Sequence, residues 1–116
     1  MNLTTIVKKL AEEIDNQKTE NLVLFKFEDI TALYEYVLIC TANNYIHIKA
    51  IENAVIKKVK EKFKNQFDPI RISGTPESGW VIIDLNFMAI HLFEEKFRNF
   101  YQLDSLFDKK AVVYHL

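Results

Sequence analysis

Apolar residues recur along this chain with two periods, and the periods divide it into elements. Leu3, Ile6, Val7, Leu10 and Ile14 fall at helical spacing, which predicts a first helix over 3–17 packed by one stripe. The polar run 18–21 breaks that pattern. Residues 22–27, LVLFKF, then read as a buried strand, and 34–41, YEYVLICT, as a second whose β-branched and aromatic content suits a sheet. The longest element follows. Asn43 or Asn44 can cap a helix whose stripe is Ile48, Ile51, Val55, Val59 and Phe63, with Ala50 and Ala54 allowing close approach, and it should end near Gln66, ahead of Asp68 and Pro69. IRISG, 70–74, reads as a third strand and GTPESG, 74–79, as a turn-rich loop. A hairpin comes next, then a short helix within 94–107, and the tail AVVYHL as a last strand.

The order α-β-β-α-β-β-β-α-β predicts one domain over 1–116 of α/β class in its α+β form, a mixed sheet of five to six strands with helices packed on it. Hairpin connections argue against a purely parallel doubly wound sheet. Neither a linker nor a repeat interrupts the chain.

The hairpin, GWVIIDLNFMAIHLF over 79–93, carries the most information. With Asn86 and Phe87 as a two-residue turn, Leu85 pairs with Met88, Ile83 with Ile90 and Val81 with Leu92, so one face is wholly aliphatic. The other face carries Trp80, Ile82 and Asp84 against Ala89, His91 and Phe93. Such a face is either core under a helix or a docking surface left partly open, and residue types alone fit both, because Trp is common in cores and in interaction hot spots.

Composition narrows the classes. A chain of 116 residues, 49% hydrophobic, can bury about two-thirds of its unfolded surface without staples. Its single cysteine, Cys40, excludes an internal disulfide framework and Cys-rich zinc spacing, and points to a reducing compartment, with the cytoplasm as the expected location. The first residues lack the apolar run of a signal peptide, and no stretch approaches membrane-spanning length, so neither export nor membrane anchoring is expected. A formal net charge of -1 is not that of a dedicated nucleic-acid binder. Lys49, Lys57, Lys58, Lys60, Lys62 and Lys64 on the long helix fit a phosphate-contacting stripe, but Glu52 and Glu61 offset them and a solvated face is the weightier reading.

Reactive constellations are sparse. Asp84 and His91 would be diagonal neighbours on the hairpin, and Cys40 would complete a Cys-His-Asp set, yet no oxyanion loop or strained nucleophile turn accompanies them. His47, His91 and His115 lie on separate elements without the spacing of a metal site. Gly74 and Gly79, the only glycines, are too few to cradle a nucleotide, and no phosphate-loop motif is present. The expectation is therefore no catalytic residue, no metal and no cofactor.

Trp80, Asp84, His91, Arg98, Phe100, Tyr101, Leu103 and Leu106, in GWVIIDLNFMAIHLF followed by EEKFRNFYQLDSLF, give a pattern that resembles the Iojap-related ribosomal silencing factor family. Tyr36, Ile39, Thr41, Ala50 and Ile51 in YEYVLICTANNYIHIKAI extend the similarity upstream. The chain departs from that family in Asn86-Phe87 for its Gly-Asp turn, Glu35 for an Asp, Ala42 for a Gly and Phe107 for a Trp, and Cys40 stands where a small residue is usual. The resemblance implies a fold similar to the nucleotidyltransferase core without the Gly-Ser and Asp-x-Asp pair such enzymes use, hence no enzyme. It implies binding to the large ribosomal subunit through its fourteenth protein, so that the small subunit cannot join and translation is repressed when nutrients run low. Trp80, Ile82, Asp84, His91 and Glu35 would then form the partner-binding surface, with Trp80 as anchor. Contact with ribosomal RNA and a homodimer off the ribosome are compatible additions. The alternatives are an RNA-binding module of ribosome assembly that uses the lysine-bearing helix, and a nucleotidyltransferase-like or Cys-His-Asp enzyme.

Overall fold

The computed structural model describes residues 3–27, 34–63, 70–101 and 112–115. The elements follow the predicted order: α1 (Leu3–Asn16), β1 (Glu20–Lys26), β2 (Tyr36–Ala42), α2 (Tyr45–Lys62), β3 (Arg71–Thr75), a single 3-10 turn (Pro76–Ser78), β4 (Trp80–Asp84), β5 (Met88–Glu94), α3 (Glu95–Tyr101) and β6 (Val112–His115).

Among the described residues, six strands form one sheet in the order β3-β4-β5-β2-β1-β6. Only the central pair, β2 with β5, is parallel; every other neighbouring pair is antiparallel. A parallel pair needs a long crossover, and α2 with the β3-β4 hairpin supplies it.

One face of the sheet packs on α1 and α2. Ile6, Val7, Leu10, Ala11 and Ile14 of α1 and Ile48, Ile51, Val55 and Val59 of α2 are buried against Leu38, Cys40, Val81, Ile83, Ile90 and Leu92. The aliphatic side of the β4-β5 hairpin is therefore the main core, as the alternation predicts. Two expectations on these helices change. Leu3 is exposed, because α1 has only begun there, and Ala50 faces solvent rather than a neighbour.

Asn44 is the N-cap of α2: its backbone is extended and its Oδ1 accepts from the His47 N–H at 2.9 Å. The helix closes at Lys62 with Phe63 as C-cap, earlier than the predicted end at Gln66, which lies outside the described residues. β3 keeps Gly74, as predicted, and takes in Thr75 from the expected loop. The short helix α3 begins at Glu95, one residue after the predicted start, and the stretch from Gln102 to Phe107 falls outside the described residues. No described helix is long and apolar enough to cross a membrane.

Candidate docking face

The second face of the sheet has its own cluster. Phe25, Val37, Ile39, Ala89 and Phe93 are buried there, and Trp80, Ile82, Tyr34 and Phe97 pack around them. Register explains the grouping. Thr75 pairs with Trp80 and Trp80 with Phe93; Ser73 pairs with Ile82, and Ile82 with His91, which is aligned with Ile39. These residues share a face because side chains alternate along each strand.

Trp80 is half-buried and held from two sides. Its ring stacks on Phe93 at 4.7 Å between centroids and 28° between planes, and its Nε1–H donates to Nδ1 of His91 at 3.1 Å. His91 is buried, and desolvation drives its pKa down to about 4. At neutral pH it is therefore an uncharged acceptor, with its ring proton on Nε2.

Asp84 closes the far end of the same face. One carboxylate oxygen accepts from the Tyr34 hydroxyl at 2.8 Å, the other from the Asn86 N–H at 2.8 Å. Burial, followed by that bond to Asp84, pushes the Tyr34 hydroxyl pKa up. Asn86 adopts φ 71°, and the Phe87 N–H donates to the Leu85 carbonyl at 3.0 Å, while Leu85 N–H and the Met88 carbonyl close the hairpin at 2.8 Å. Asn tolerates positive φ and Phe87 is not asked to, which is how Asn86-Phe87 serves as a turn. Glu35 is exposed at this end, its N–H bonded to the Phe87 carbonyl at 2.9 Å.

One chemical alternative, the Cys-His-Asp set, fails on geometry. The carboxylate of Asp84 is spent on Tyr34 and Asn86 rather than on His91, whose Nδ1 serves Trp80. Cys40 pairs with Leu92 and lies in the helix-side core, so the sheet separates it from His91 and Asp84. Its thiol pKa is pushed up to about 12 by burial, which keeps it protonated and unreactive. The Cys-His-Asp set is not assembled.

His47 is structural as well. Its Nδ1 accepts from the Asn43 N–H at 3.0 Å and its Nε2 bonds to the Gln17 carbonyl at 2.6 Å, tying the start of α2 to the end of α1. Lys49, Lys57, Lys60 and Lys62 are exposed on α2, which packs on the opposite side of the sheet from Trp80.

Beside Trp80 the surface dips into a groove of about 240 Å³ lined by Ser73, Gly74, Ser78, Trp80 and Ile82. Small residues on β3 leave one side of Trp80 and Ile82 accessible there. The arrangement presents a pre-set aromatic ridge with an apolar flank, which suits recognition by contact.

Three residues of this region had no assigned role in the sequence. Tyr34 pins Asp84, and Phe97 lies against Gly79, where the backbone turns at φ 81° just ahead of Trp80. Arg98, nearly buried, donates from Nη1 to the Thr41 hydroxyl at 2.9 Å and to the Asn21 carbonyl. The available signal was an arginine amid aromatics in KFRNFY, a setting in which a cation needs fixed acceptors.

Residues 1–115 match the family described as ribosomal silencing factor during starvation. The chain is 28% identical over 106 residues to the ribosomal silencing factor RsfS of Bacillus subtilis, covering 91% of this chain and 87% of that one. It is 22% identical over 107 residues to an Iojap-related mitochondrial protein of Arabidopsis thaliana, covering 90% of this chain and 56% of that one. A crystal structure of a protein from Bacillus halodurans superposes with a TM-score of 0.74 at 27% identity, covering 97% of this chain and 99% of that one.

Proposed function

The chain belongs to the family of ribosomal silencing factors, and we propose that it binds the large ribosomal subunit through that subunit's fourteenth protein and so blocks joining of the small subunit. Translation would fall accordingly when nutrients run low. The observation that supports this reading is the state of Trp80: half-buried, stacked on Phe93 and bonded to His91, it needs no rearrangement to act as an anchor. Contacts that are pre-set lose less conformational freedom on binding, so more of the contact energy appears as affinity.

Ile82 and the groove beside it extend the apolar contact, while Asp84 and Glu35 place negative charge at one end, suited to basic side chains of a ribosomal protein. His91, buried and bonded to the indole edge, would serve the contact by holding Trp80 in place. Obstruction of this kind requires shape and grip and no bond-making step. The cytoplasm, where subunits meet, is the proposed site of action. Any contact with ribosomal RNA through the α2 lysines must reach a different ribosomal surface, because the sheet stands between them and Trp80.

Sedimentation of purified subunits through sucrose gradients tests the proposal. A molar excess of the protein is expected to co-migrate with large subunits and to deplete the joined particle. Undiminished joining in that excess would reject it.

A further inference from the structure

Arg98 joins three pieces of chain that the sequence keeps far apart. It lies on α3 and reaches the hydroxyl of Thr41 at the end of β2 and the backbone carbonyl of Asn21 at the start of β1. The carbonyl is specially presented. Asn21 adopts φ 50°, and the β1-β2 register slips between Glu20 and Val23, so a bulge re-aims the backbone at this point. A nearly buried guanidinium needs such fixed acceptors, and their directions in turn fix the guanidinium.

What α3 carries is the edge of the Trp80 face. Phe97, adjacent to Arg98, packs on the same buried cluster as Trp80 and lies so close to Gly79 that a Cβ there would strike its ring. Gly79, the residue before Trp80, also accepts from the Glu94 N–H through its carbonyl at 2.9 Å, at the junction of β5 and α3. The backbone entering Trp80 is thus set between β5 and α3.

We propose that Arg98 is a positioning residue for the docking face: by clasping α3 to the β1 bulge and β2, it holds Phe97 against Gly79 and so fixes the pose of Trp80. The claim about pose stands alone; its consequence for binding rests on the function proposed above. Trp80 is the chain's only tryptophan, so its fluorescence reports this pose directly.

The experiment compares Arg98→Gln, Arg98→Lys and Thr41→Val, each checked for folding by circular dichroism, in Trp80 emission, acrylamide quenching and retention of purified large subunits. Arg98→Gln should shift emission to the red, increase quenching and weaken subunit binding about tenfold or more. Thr41→Val, which keeps volume and removes one acceptor, should move all three readouts the same way by less. Arg98→Lys should recover them in part, since an ammonium keeps the charge without the fork. If Arg98→Gln does not fold, Thr41→Val carries the test. Folded variants with wild-type emission and quenching overturn the proposal. Altered emission with unchanged binding also overturns the docking consequence where Trp80→Ala abolishes binding; where Trp80→Ala binds normally too, Trp80 is not the anchor and the pose claim stands on its fluorescence, whereas loss of subunit binding by the wild type itself would reject the proposed function.

Discussion

The indole Nε1–H of Trp80 donates to Nδ1 of His91 at 3.1 Å, so the proposed anchor and the buried imidazole at its edge share one bond. A donor already satisfied inside the protein leaves the outer side of the indole to act as an apolar surface. The same bond sets a limit on acidity, because a protonated His91 has no lone pair to offer.

Stability should consequently fall on mild acidification. His91 in the folded chain takes a proton only near pH 4, against an ordinary value of 6.5. Between those values the unfolded chain binds more protons, so stability decreases as pH drops from about 6.5 and levels off below about 4, with no contribution above 6.5. The full effect is about 3 kcal/mol. Urea titrations of the wild type and His91→Gln at several pH values check this: the variant should lose less stability over that window, and parallel losses would exclude His91 as the cause.

Trp80→Ala should weaken binding to large subunits by about 30-fold to several hundred-fold while leaving the helix-side core intact. Equilibrium pull-downs with purified subunits measure it. A folded variant that binds normally would remove Trp80 from the interface.

Tyr34 and Asp84 should be energetically coupled through their 2.8 Å bond. A double-mutant cycle with Tyr34→Phe and Asp84→Ala should give a coupling of about 1 kcal/mol in unfolding free energy. Asp84→Ala alone should cost more than Tyr34→Phe, because it also strips the Asn86 N–H of its acceptor at the hairpin turn.

Cys40→Ala should leave subunit binding unchanged and cost about 1 kcal/mol of stability, since the thiol is filler in the helix-side core. In the native protein Cys40 should resist thiol reagents until denaturant is added. Fast modification under native conditions would contradict the burial described above.

How far these features could be read from the sequence depends on where their partners lie. The hairpin register was legible because taking Asn86-Phe87 as a two-residue turn fixes which residues pair, and the burial of Trp80 to Asp84 alternates accordingly. The stripe of α2 and its cap at Asn44 were legible for the same local reason. The face occupied by Cys40 was not: every residue of β2 is buried, as expected of a strand covered on both sides, so no alternation marks its orientation. Asp84 and His91 were legible as neighbours, but the preference of Asp84 for Tyr34 depends on a residue fifty positions away. Arg98 reaches further, across seventy-seven positions to Asn21, and no local pattern encodes that.

The parallel pairing of β2 with β5 has one more consequence, for the ribosome that makes this chain. Tyr36 through Ala42 must wait for Met88 through Glu94 before the centre of the sheet can close. A growing polypeptide therefore carries an open seam in its sheet until the strand about fifty positions downstream has been made, and slow closure of that seam is built into the topology.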